Sequence, residues 1–132
     1  MSLELKITEV KRSVKRLLCI RHWARRYDPP PMLIIAGTIT VDAADRDRFL
    51  ESRRETVARA RAMKGCLEYA FSADAVDPTC VRLFERWESQ DNVDAWLAAH
   101  RGEHAQFRPP EVPTQSMQFL SHEISATRPV EI

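Results

Sequence analysis

Two histidines four residues apart, His100 and His104, are the side chains of this 132-residue chain best suited to moving a proton near neutral pH. His100 shares an apolar helical stripe with Val93, Trp96 and Leu97, so its imidazole is directed toward a hydrophobic interior. The i, i+4 spacing also suits a chelate, with Glu103 between the pair. Arg101-Gly102 breaks the helix, however, and the His-Glu-x-x-His order of zinc proteases is absent, so no metal is expected. Glu85 alternates onto the same strand face as Leu83 and Trp87 and reads as a buried carboxylate, either a hydrogen-bond anchor or a second base. Arg82 and Arg86 point to the opposite face and are not its same-strand partners. Trp96, Phe107, Trp87 and Tyr69 either wall an apolar pocket or fill a core; pattern alone admits both. Cys66 and Cys80 begin strands and read as small core residues. With Cys19 they make three cysteines without CxxC spacing, which argues against a disulfide scaffold or structural zinc and for reduced thiols in the cytoplasm.

The elements that must position these residues begin at Met32. Residues 32–41 are rich in β-branched side chains and predict a strand buried on both faces. Asp42 offers an N-cap, and a helix is expected over 43–63 with Phe49, Leu50, Val57, Ala60 and Met63 inward and its arginines and glutamates outward. Gly65 is the natural residue to end it. Residues 66–72 alternate as a second strand, Asp77-Pro78 marks a hairpin loop, and 80–88 form a third. Ser89 caps a second helix that Gly102 interrupts, and 116–125 make a fourth strand after a Pro-rich loop. The order β-α-β-β-α-β predicts an α+β, ferredoxin-like antiparallel sheet with helices on one face. An apolar second face needs a cover, and a second copy of the chain supplies one most commonly, so a homodimer is expected.

Composition divides the chain in two. Hydrophobic residues at 44% and charged residues at 30% describe a soluble globular protein, and a net charge of +1 makes no case for nucleic acid. No apolar run approaches a membrane span, no secretory leader pattern is seen, and three glycines leave no phosphate cradle. Residues 1–31 are nonetheless net +5 and residues 32–132 net −4, with Pro29-Pro30-Pro31 as the boundary. Ile7, Val10, Val14 and Leu17 recur at helical spacing, so 1–31 read as a basic amphipathic helical extension ending in a Pro linker. It is a helix packed on its own domain or on a dimer partner, an extension upstream of a functional start at Met32, a membrane-surface or nucleic-acid arm, or a targeting segment.

Gly65-Cys66-x-x-Tyr69, Asp77-Pro78, the run Leu83-Phe84-Glu85-Arg86-Trp87-Glu88-Ser89, Trp96-Leu97-x-x-His100 and His104 together resemble the antibiotic biosynthesis monooxygenase domain. The resemblance spans residues 32–125 and leaves 1–31 uncovered. It implies a dimeric α+β barrel with a cavity between the second helix and the sheet, which favours Trp96 as a wall. It also implies cofactor-independent oxygenation of quinol-like or anthrone-like aromatics. Such chemistry requires a substrate that reduces dioxygen once deprotonated, and from the protein an apolar pocket, a base and an oxyanion donor. The site expected is His100 or His104 as base, with Trp96, Trp87, Tyr69, Phe107, Thr38 and Glu85 on the substrate. Its partners are a small aromatic substrate, dioxygen and a second copy, without nucleic acid, membrane or cofactor. A haem-degrading branch carries an Asn on the first strand where this chain has Thr38, and its His aligns with His104 only after a shift. Trp96 matches that branch's Trp, but haem degradation ranks below a non-catalytic dimer that binds small molecules in the same cavity.

Overall fold

A computed structural model of the chain describes residues 30–102, 105 and 107–132. The expected helical extension lies, up to residue 29, outside the described residues, as does His104.

Strand β1 runs Met32–Thr40. Asp42 then accepts the Ala44 N–H at 2.9 Å and opens a 3-10 turn, Ala43–Asp45. The single expected helix is two: α1, Arg46–Ser52, and α2, Arg54–Ala62, separated at Arg53 (φ −93°, ψ −4°). Gly65 takes φ 80° and turns the chain into β2, Cys66–Ala73. The Asn92 side chain fills the space where a Cβ at Gly65 would stand, and the Glu88 N–H donates to the Gly65 carbonyl at 2.8 Å. This glycine therefore seats the start of the second helical layer as well as ending the first.

The hairpin loop is organised by its own carboxylates. Asp74 accepts from the Val76 and Asp77 N–H groups and pairs with Arg82 at 2.7 Å, while Asp77 accepts from the Thr79 N–H and hydroxyl. Strand β3, Cys80–Trp87, follows. Ser89 caps α3, Gln90–His100, by accepting the Asn92 N–H; Arg101 ends it, and Gly102 leaves at φ 97°. Strand β4 is Ser116–Ile124.

The sheet is antiparallel in the order β2-β3-β1-β4. One face carries Leu33, Ile39, Tyr69, Val81, Leu83 and Trp87, all buried beneath the helices. Each such side chain contributes about 1.5–3 kcal/mol by leaving water. Phe49 of α1, Ala60 of α2, and Val93 and Trp96 of α3 close the core from above. Among the described residues no helix lies on the other face. There β1 is half-buried rather than enclosed on both sides.

The expected dimeric α+β barrel is corrected to an open ferredoxin-like sheet, which is not closed into a barrel. The four-stranded sheet is open, with β2 and β4 as its edges among the described residues. The outer strands β2 and β4 do not pair with each other, so the sheet keeps two edges instead of closing on itself. The ferredoxin-like element order and the helices on one face hold; closure does not.

Candidate functional site

Between the helices and the covered face lies a cavity of about 370 Å³. Its walls are mainly apolar, from Ile35 and Ile39 of β1, Phe71 of β2, Leu83 of β3 and Phe119 of β4. Phe119 reaches this wall because its neighbour across the ladder is Gly37; a Cβ there would stand 2.6 Å from the Phe119 ring.

An aromatic ladder runs along one side. Trp87, 0% exposed, stacks on Trp96 with centroids 6.3 Å apart, and Trp96 stacks on His100 at 4.6 Å and 12° between planes. Tyr69 meets Trp96 edge-on at 5.7 Å. The helical spacing of Trp96 and His100 thus places an imidazole at the cavity end of a rigid stack. Burial holds the His100 pKa below the ordinary imidazole value, and the positive charges of Arg101 and Arg53 lower it further. The ring is a neutral base at pH 7.

Glu85 sits on the floor, 6% exposed, and its carboxylate accepts the Trp87 indole N–H at 2.8 Å. Burial raises its pKa, opposed by the Trp87 bond, the charge of Arg101 and the Tyr69 hydroxyl. Tyr69, its cross-strand neighbour, is also pushed upward, by burial first and then by Glu85, so its phenol stays protonated. The floor therefore offers the Tyr69 phenol in an apolar setting, the kind of donor that holds a developing oxyanion. Burial likewise raises the Cys66 thiol, which suits a core residue and not a nucleophile.

The structure brings Tyr69, Glu85, Trp96 and His100 together around the cavity. Trp87 stands behind it, as support for both Glu85 and Trp96. Thr38 lies on the opposite face, in a row with Ser72, Arg82 and Gln118. Phe107 packs under the Arg59 guanidinium, 4.8 Å from ring centroid to charge, away from the cavity lining. Arg53, Thr56 and Arg101 line the cavity without having been anticipated. The signal was present: Phe49, Arg53, Thr56 and Ala60 fall at i, i+4, i+7 and i+11, which sets two polar residues on the inner stripe. A larger, shallower depression of about 600 Å³ lies by Pro30, Glu88 and Thr127, where Glu88 is the one ionisable side chain among the described residues.

A family model described as antibiotic biosynthesis monooxygenase matches residues 32–108. A candidate antibiotic biosynthesis monooxygenase of known structure from Deinococcus radiodurans is 18% identical, with a TM-score of 0.60 over 75% of this chain and 98% of its own. A Pseudomonas aeruginosa protein is 21% identical, with a TM-score of 0.59 over 76% of this chain and 100% of its own. A Mycobacterium tuberculosis protein is 17% identical, with a TM-score of 0.58 over 73% and 97%. At these identities the likeness is one of fold. No curated protein matches the chain in sequence.

Proposed function

Because the chain belongs to the antibiotic biosynthesis monooxygenase family, we propose that it oxidises a small aromatic phenol, quinol or anthrone with dioxygen, without a bound cofactor. The observation that supports this most is a neutral imidazole at the end of an aromatic stack, facing an apolar cavity.

In this reading His100 takes the substrate's acidic proton, with His104 tested beside it. The anion left behind is electron-rich enough to reduce dioxygen. Overall the substrate loses two hydrogens and gains one oxygen atom, and the second oxygen leaves as water. Tyr69 donates to the substrate oxygen as charge gathers on it, Glu85 anchors the wall through its bond from Trp87, and Trp96 holds the ring. The mainly apolar walls strengthen these contacts relative to bulk solvent. Thr38 and Phe107, set apart from this cavity, carry no role in the step.

The working form is a homodimer. The face without helices carries an apolar row across the sheet, Ala70, Phe84, Ala36 and Leu120, with Leu120 67% exposed. A second copy is the partner proposed for that row.

Oxygen uptake by metal-free, flavin-free protein, measured against a panel of naphthols, quinols and anthrones, tests the reaction. Uptake is expected to fall about 100-fold in His100→Ala. In the wild type, kcat/KM should drop on the acid side, at a pH below the ordinary imidazole value of 6.5, because the base is lost on protonation and its pKa is lowered. No uptake with any substrate, or uptake unchanged in the His100→Ala/His104→Ala double variant, sinks the reading. Ligand-dependent thermal stabilisation without turnover would instead indicate a binding protein.

A further inference from the structure

Two residues of the cavity lining each carry a buried polar atom with no hydrogen-bond partner among the described residues. Thr56 is 1% exposed, and its Oγ1 has no hydrogen-bond partner among the described residues. One turn earlier, the Nε of Arg53 is buried and equally unpartnered. Leaving a buried polar atom unpaired is unfavourable, and a helical threonine readily avoids this by bonding back to its own turn. Here the hydroxyl does not do so.

Arg53 is held in place at the cavity. Its guanidinium lies 4.5 Å from the centroid of the Phe49 ring. That stacking fixes the planar fork without using its donors. Arg101 lines the same cavity from the end of α3. Against these two cations Glu85 is the one carboxylate among the described lining residues, and it is engaged by Trp87. No described carboxylate forms a salt bridge with Arg53 or Arg101. The cavity thus has an apolar body and a cationic, donor-rich edge with unused capacity.

We propose that Arg53 and Thr56 form the binding point for a carboxylate carried by the aromatic substrate, so that the chain selects an aromatic acid over the neutral ring compound. A guanidinium edge presents two N–H groups at the spacing of two carboxylate oxygens, and the Thr56 hydroxyl adds a third donor. Arg101 supplies attraction from the rim. The remaining walls take the ring, which is where the proposal rests on the reading of this cavity as a substrate site.

Isothermal titration of the full chain with 1-hydroxy-2-naphthoate, its uncharged amide and 1-naphthol tests it. The wild type should bind the carboxylate about ten-fold or more tightly than the amide or the naphthol. Arg53→Gln should bring the carboxylate-to-amide ratio close to one while amide affinity persists, which also reports an intact cavity. Arg53→Lys should retain part of the preference, and Thr56→Val should reduce it about three-fold. A wild-type ratio near one, no binding of either ring acid or amide, or a ratio unchanged in Arg53→Gln overturns the proposal. If Arg53→Gln loses both ligands, Arg53→Lys and Thr56→Val decide, and an unchanged ratio in both overturns it. Carboxylate preference without oxygen uptake would refute the oxygenase alone; uptake with no such preference would refute the carboxylate site alone.

Discussion

Glu85 shows how one residue is defined by its burial and its neighbours. Alternation along β3 places it inward, and its two flanking arginines point away, so the Trp87 indole takes the carboxylate. The raised pKa means that the folded state holds this proton more firmly than the unfolded chain does. The stability this contributes is therefore complete below the ordinary value of 4.5 and is lost as pH rises through the folded value. Glu85→Gln keeps an acceptor for Trp87 and cannot ionise. The Tm of the variant is expected to gain on the wild type as pH rises above about 4.5 and to hold that gain once the folded value is passed, by circular dichroism melts at matched ionic strength. A constant difference, or one that moves the other way, would show that Glu85 is not held protonated by burial. The inward position of Glu85 was legible from alternation, and that of His100 from helical spacing. The bond from Trp87 and the stack on Trp96 were not, since side chains two or four residues apart meet only in particular rotamers.

At the scale of elements, the position of the site depends on places where the chain leaves room. Gly37 is one of them. β1 and β4 pair closely there, and a Cβ would stand 2.8 Å from the Phe119 Cα and 2.6 Å from its ring. Gly37→Ala should push β4 outward, withdraw Phe119 from the cavity wall and cost about 1–3 kcal/mol in urea unfolding. An unchanged midpoint would mean that β4 yields at no cost. Caps and turns were readable at this scale because they are local: Asp42 and Ser89 each accept an N–H two or three residues ahead. The interruption of the helix at Arg53 was not; the spacing from Phe49 to Ala60 put Arg53 and Thr56 on the inner stripe, but nothing in it marked a cavity there. Arginine on an amphipathic helix is ordinarily outside, and only the placement of α1 and α2 over the sheet shows which edge of the stripe meets a cavity.

At the scale of the whole molecule, the described residues give the sheet one face covered by helices and one without them. The face without described helices carries an apolar row, Ala70, Phe84, Ala36 and Leu120, flanked by a polar row that holds Thr38 and by a row of Glu68, Arg86, Ile34 and His122. Sedimentation of the wild type at micromolar concentration should give a dimer, and Phe84→Arg combined with Leu120→Arg should give a folded monomer. A wild-type monomer, or a double variant that stays dimeric, would remove the second copy from this face. Among the described residues no helix is long and apolar enough to cross a membrane. By itself the sequence determined the order of elements, the caps, the inward stripes and the family, because each depends on period and on local bonding. Tertiary structure alone decided that the sheet stays open, that Thr38 and Phe107 stand away from the cavity, and that Arg53 and Thr56 stand in it. Those outcomes depend on which surfaces meet across long stretches of chain, where many packings satisfy the same pattern and only the assembled core selects among them.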